Sequence, residues 1–87
     1  MTEQELLEKV KAMTNYTSDY HDAFLSGWIE EAKFMLAQSG VSDEAINANC
    51  SVGVIAQVVV DLTDNGGVSE GTKYRIAQLA LKYPRED

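Results

Sequence analysis

The sequence predicts an all-α protein, a small single-domain bundle of four to five helices with a central apolar third helix. Three observations predict it. Apolar residues recur at helical spacing in separate segments. A Ser or Thr stands where each segment would need an N-cap. The stretch from Cys50 to Leu62 is apolar nearly all round, as a helix enclosed by others must be. With 87 residues the chain suits one modest core over residues 1–87, and one Pro with six Gly argues against a low-complexity chain.

The first helix is expected over about Glu3 to Met13. Thr2 can cap it, and Glu3 and Glu5 fall in the first turn, where the helix dipole favours anions. Leu6, Leu7, Val10 and Met13 form its apolar stripe. The "TNYTS" that follows reads as a connector, since Asn, Thr and Ser compete for backbone hydrogen bonds. The second helix is expected from about Asp19 to Gln38 with Ser18 as cap. Tyr20, Phe24, Trp28, Ala32, Met35 and Leu36 define its inner face, with Leu25 and Ile29 widening it. Glu30, Glu31 and Lys33 fall largely on the other side. Gly27 inside this helix costs roughly 1 kcal/mol relative to Ala, and a close helix–helix approach is one explanation. Gly40 is a good stop.

Ser42 is the next cap candidate, with Asp43 and Glu44 in the first turn. Asn47 and Asn49 are weak helix formers, so a break near "NANC" is expected before the apolar run. Periodicity alone allows a buried strand over Cys50 to Leu62, whereas length and the flanking helices favour a central helix. The last helix spans about Thr72 to Lys82, capped by Ser69 or Thr72. Its inner face is read as Tyr74, Ile76, Ala77, Leu79, Ala80 and Tyr83, and Pro84 ends it.

The formal net charge of -7 disfavours generic binding to nucleic acid or to an anionic membrane, because the phosphate contribution needs surplus Lys and Arg. The charge is uneven. Residues 1–64 carry eleven acidic and three basic side chains, and residues 65–87 carry three acidic and four basic. Lys73, Arg75, Lys82 and Arg85 thus form a basic end, read either as a solvated surface or as a surface for an acidic neighbour. No apolar run is long enough to span a membrane, and the acidic start has no signal-peptide apolar region.

Candidates for chemistry are few. Asp19, His21 and Asp22 are one and two positions apart and point in different directions on a helix, so no metal site is expected. Cys50 is the single cysteine and is expected to be a small buried apolar residue, because its thiolate would need a base. No lysine-containing phosphate loop follows "DNGG". Asp61 and Asp64 could share a helix face as a carboxylate pair, but helix-end solvation is the simpler reading. The seven aromatics read as core and rim. No catalytic residue and no cofactor is expected, and an interaction role remains.

The layout resembles the small head–tail connector, or head-completion, proteins of long-tailed bacteriophages and prophages. The resemblance rests on the acidic first helix "LLEKVKAMTNYT" and the long second helix "FLSGWIEEAKFMLAQSGV". It continues through the apolar helix ending "VIAQVVVDLTDNGG" and the final "SEGTKYRIAQLALKYP". Ile29, Glu30, Glu31 and Ala32, the Gly40–Val41 exit, and the segment from Asp61 to Gly71 match the family's texture. The end of the apolar helix departs from many members, with Asp61, Leu62, Thr63 and Asp64 in place of an aromatic-Glu-Asn-Arg-like run. The resemblance implies a structural role. Copies form a ring beneath the portal protein, extend the DNA channel, and offer a surface to a tail-joining or stopper protein, first in the host cytoplasm and then in the virion. DNA would pass without sequence-specific binding.

The candidate interface residues are Asp61, Asp64, Asn65, Gly66, Gly67, Lys73, Arg75 and Arg85. The Asp-Asn-Gly-Gly loop is expected to be a deformable element, so Gly66→Pro with Gly67→Pro should spare the folded monomer and impair assembly. The alternative role is a small acidic helical adaptor or regulator, antitoxin-like or carrier-like. An acyl-carrier reading needs Ser in an Asp-Ser-Leu setting, which Ser18, Ser26 and Ser42 do not provide.

Overall fold

The computed structural model describes residues 2–14 and 22–86. Along them run α1 (Glu3–Met13), α2 (Asp22–Gln38), the single-turn α3 (Asp43–Ile46), a 3-10 turn (Asn49–Ser51), α4 (Val52–Asn65) and α5 (Glu70–Lys82). The fold is all-α, and the one sheet-like feature among the described residues is an isolated antiparallel bridge between Val41 and Pro84. The expected Ser18 cap, together with Tyr16, Asp19, Tyr20 and His21, lies outside the described residues.

Local chemistry sets the helix starts. The Thr2 hydroxyl accepts from the Glu5 N–H at 3.1 Å while the Thr2 N–H donates to the Glu5 carboxylate at 3.3 Å, a reciprocal capping box. That backbone N–H and the Thr2 hydroxyl hold the Glu5 carboxyl below its ordinary pKa. Ser42 caps α3 by accepting from the Ala45 N–H at 3.2 Å. The expected break near "NANC" is real: the chain leaves α3 at Asn47 and turns through Asn49–Ser51 into α4. Ser69, not Thr72, caps the last helix, which therefore begins at Glu70.

The apolar stretch is a helix and it is the centre of the molecule. From Val52 to Asp61 every residue of α4 is buried except Gly53, Gln57 and Val60. It packs against α2 most extensively, then against α1 and α5. Leu6, Leu7 and Val10 of α1 cover one side, and Leu25, Ile29, Ala32 and Leu36 of α2 cover another. Ile76 and Leu79 of α5 complete the core. Each such side chain stabilises by about 1.5–3 kcal/mol when fully buried.

Several inner faces differ from expectation. The buried stripe of α2 is Leu25, Ile29, Ala32 and Leu36, so the helix is turned by about one residue relative to the aromatic face. Trp28 is half-buried, packing edge-on against Phe24 with ring centroids 5.9 Å apart, and Phe24 itself is exposed. Phe34 is 57% exposed. On α1 the buried residue near the end is Lys11 rather than Met13. The Lys11 ammonium is held at 2.9 Å by Asp22 at the start of α2. On α5, Tyr74 and Ala77 face solvent, and Thr72 is buried instead. Cys50 is exposed, because the 3-10 turn aims Ser51 inward, where its hydroxyl donates to the Ala45 carbonyl at 2.7 Å. Gly27 makes no close approach among the described residues, where a β-carbon at that position would touch nothing within 4 Å.

The neighbours Phe34 and Leu36 separate the two faces of α2. Leu36→Ala should cost about 3 kcal/mol through lost burial and a residual cavity, and Phe34→Ala less than about 0.5 kcal/mol. Urea unfolding of the two variants checks this, and similar losses would mean that the α2 face is misassigned.

Candidate interaction surface

The ten residues "VVVDLTDNGG" pass from core to surface within three helical turns. The helix does not end at the first charge. It continues to Asn65 and closes at Gly66, whose φ of 71° is the left-handed conformation that ends helices and that Gly adopts without strain. Only residues 66–69 lie between α4 and α5. Of the expected deformable Asp-Asn-Gly-Gly loop, Asp64 and Asn65 belong to the end of α4, and only Gly66 and Gly67 lie in the turn.

Asp61 explains how so short a turn is held. It is 3% exposed, which corrects the expectation of a solvated helix end. Its carboxylate accepts from the Gln57 amide at 3.0 Å and from the Ser69 N–H at 3.1 Å. Burial pushes the Asp61 pKa up and is the largest single influence. Hydrogen bonds from the Thr72 hydroxyl, the Ser69 N–H and the Gln57 amide outweigh it, leaving the carboxyl below its ordinary range. Ser69 in turn caps α5 by accepting from the Thr72 N–H at 3.2 Å, and its hydroxyl donates to the Thr72 hydroxyl at 3.0 Å. One buried anion thus joins the last turns of α4 to the first turn of α5. Asp64 takes no part and does not form a carboxylate pair with Asp61; it is exposed beside Thr63.

The other candidate residues do not converge on one site. Asn65, Gly66 and Gly67 are exposed at the turn. Lys73 is exposed, 3.4 Å from Glu70 of its own helix, and borders a groove formed with Met35, Gln38 and Val68. Arg75 lies over α4 next to Gly53, Met13 and Val60, and a β-carbon at position 53 would meet its guanidinium at 3.5 Å. Arg85 has an internal task. Its guanidinium contacts Asp43 at 2.7 Å and its N–H donates to the Gly40 carbonyl at 2.8 Å, beside the Ser42 N–H to Tyr83 carbonyl bond of 2.9 Å. These contacts tie the C-terminal segment to the turn between α2 and α3, so Asp61 and Arg85 serve the fold itself.

Part of what remains outward is apolar. Phe24 and Phe34 on α2, Tyr74 and Leu81 on α5, and Met13 at the end of α1 are the exposed large hydrophobics among the described residues. Scattered exposed apolar residues are normal. Here, however, they recur on the helix faces turned away from the core: Phe34 opposite the buried stripe of α2, and Tyr74 with Leu81, seven apart, opposite Ile76 and Leu79. The two-residue shift between Leu36 and Phe34 was the available signal, and reading the aromatics together as core and rim left it unused. Among the described residues no group of three or more His, Cys, Asp and Glu gathers as a metal ion would require. No described helix is long and apolar enough to cross a membrane.

Two variants test the turn. Asp61→Asn keeps the shape but sets an amide N–H₂ among donors, and should cost about 2–4 kcal/mol at pH 7. A depressed native pKa gives stability that is present above the unfolded value of about 3.9 and is lost as pH falls through the lower native value. The gap between wild type and Asp61→Asn should therefore shrink as pH falls below about 4 in urea unfolding; a gap independent of pH would exclude a charged Asp61. At the cap, Gly66→Ala should cost about 1–2 kcal/mol, since Ala is strained at positive φ, and Gly67→Ala should be near neutral because a β-carbon there meets nothing. The double proline change is not a clean probe of assembly, because proline cannot adopt the φ of Gly66. Equal melting losses at 66 and 67 would contradict this view of the cap.

Compared with family models, with curated proteins and with solved structures, the chain shows no match to any of them.

Proposed function

We propose that the chain is a non-catalytic structural protein of a long-tailed phage or prophage, docking as a ring beneath the portal and joining the DNA-filled head to the tail. The observation that carries this reading is the set of large hydrophobics left in solvent on more than one helix of so small a chain. A ring subunit between a portal above and a tail-joining or stopper protein below needs several protein-facing surfaces at once. Exposed apolar residues sharing a helix face, as Tyr74 and Leu81 do on α5, are a mark of such contacts. The order of segments adds support: an acidic first helix, a long second helix, an apolar helix and a short final one. The net charge of -7 suits a channel wall that lets DNA pass without holding it.

The adaptor or regulator reading separates from this one by its partner. A tagged chain recovered from a lysate that makes the parent particle should bring down portal and tail-joining proteins, identified by mass. Recovery of one basic protein or enzyme, with no particle proteins, would overturn the connector reading and favour the adaptor.

A further inference from the structure

The two outward faces differ in charge in a complementary way. On α2, Phe34 stands directly away from the core, with Glu30 on one flank and Glu31 on the other. Across Asp22–Gln38 the acids Asp22, Glu30 and Glu31 face a single base, Lys33. On α5, Tyr74 and Leu81 form the outward ridge, Leu81 being 84% exposed. Arg75 and Lys82, also seven apart, follow one flank of that ridge and Lys73 the other. Glu70 is the one acid in that helix. Part of this charge is already engaged locally: Lys33 lies 3.7 Å from Glu30, and Lys73 lies 3.4 Å from Glu70. Such exposed pairs are weak. Glu31 and Arg75 have no ion-pair partner among the described residues.

Gly27 belongs to the same outward side of α2, one turn before Glu31 and two before Phe34. It lowers helix stability, and among the described residues a β-carbon there would meet nothing within 4 Å. A second helix laid along this face would find a flat place there.

We infer that the outward face of α2 on one copy of this chain packs against the outward face of α5 on the next copy. Phe34 then meets the Tyr74–Leu81 ridge, and Glu30 and Glu31 meet Arg75, Lys82 and Lys73. The contact joins two different patches, so it is head-to-tail, and repetition closes a ring when the rotation between copies permits it. The inference deepens the connector reading and rests on it for ring closure only. A helix of 13 residues is about 20 Å long, so one such face falls well short of the roughly 800 Å² per partner of a standard stable interface. The pairing is weak in isolation, with dissociation constants of order 0.1–1 mM, and a docking platform that aligns many copies would multiply it.

Charge reversal tests the pairing on the whole chain by sedimentation equilibrium up to about 1 mM. Wild type is expected to associate at the upper end of that range. Glu30→Lys with Glu31→Lys should stay monomeric, although each reversal adds two charges and the net charge falls in magnitude from -7 to -3. Lys73→Glu with Arg75→Glu and Lys82→Glu should also stay monomeric. An equimolar mixture of the two variants should associate again, because each then offers the face that the other lacks. Gly27→Gln guards against misfolding as an explanation: it should raise the urea midpoint of the monomer and still weaken association at least tenfold. A wild type that remains monomeric at about 1 mM, or variants that associate alone or fail to restore each other, would overturn the pairing. Restored association without capture of particle proteins would uphold this contact and overturn the connector reading. Capture of portal with no charge-reversal effect would do the reverse.

Discussion

The burial of α4 is the constraint from which the rest follows. A helix that is apolar almost all round cannot stand at a surface, so something must cover it on every side. In this chain α1, α2 and α5 share that task, and each needs only one apolar stripe to do so. The opposite faces of those helices are then free of any duty to the core. Their composition is where selection for something other than folding can be read, and Phe34, Tyr74 and Leu81 stand out there.

Covering a central helix requires the chain to turn sharply at its end, and Asp61 shows how this is done. A carboxylate in the core would ordinarily be costly. Here donors from α4, from the intervening turn and from α5 surround it, so the charged form is retained. One of these donors, the Ser69 N–H, would otherwise be unpaired at the start of α5. The flexible composition Asp-Asn-Gly-Gly therefore encodes a fixed corner: Gly66 supplies the left-handed cap and Asp61 the tie. A second tie, through Arg85, Asp43 and the backbone around Gly40, fixes the far end of α5. With both ends of α5 held, its outward ridge has a defined orientation, as a surface for a neighbouring protein requires.

Much of this was legible in the sequence and some was not. The Thr2 and Ser42 caps, the break at Asn47–Asn49 and the helical state of Val52–Leu62 follow from local rules, and local rules sufficed. On α2 the expected inner face holds at Leu25, Ile29, Ala32 and Leu36, with Trp28 and Met35 packed at its edge, whereas Phe24, also read as inward, is exposed. Hydrophobicity ranks residues without saying which side of a helix has company. Asp61 looked like a helix-end charge because its partners, Ser69 and Thr72, lie eight and eleven residues away, and only the turn brings them together. Cys50 and Met13 were placed inward by type, whereas their neighbours Ser51 and Lys11 are buried by virtue of a specific hydrogen bond and a specific ion pair.

The most direct measurement of the central claim is residue-resolved hydrogen exchange at neutral pH. If α4 is the enclosed post and Asp61 pins the corner beside it, the amides of Ile55, Val58 and Val59 should open only with global unfolding. The amide of Ser69, outside any helix, should be slowed along with its neighbours in α5. Exchange of the Ser69 amide at the rate of an unstructured peptide, while α4 stays protected, would contradict the account. The corner would then be loose, and the outward face of α5 would have no fixed place on the molecule.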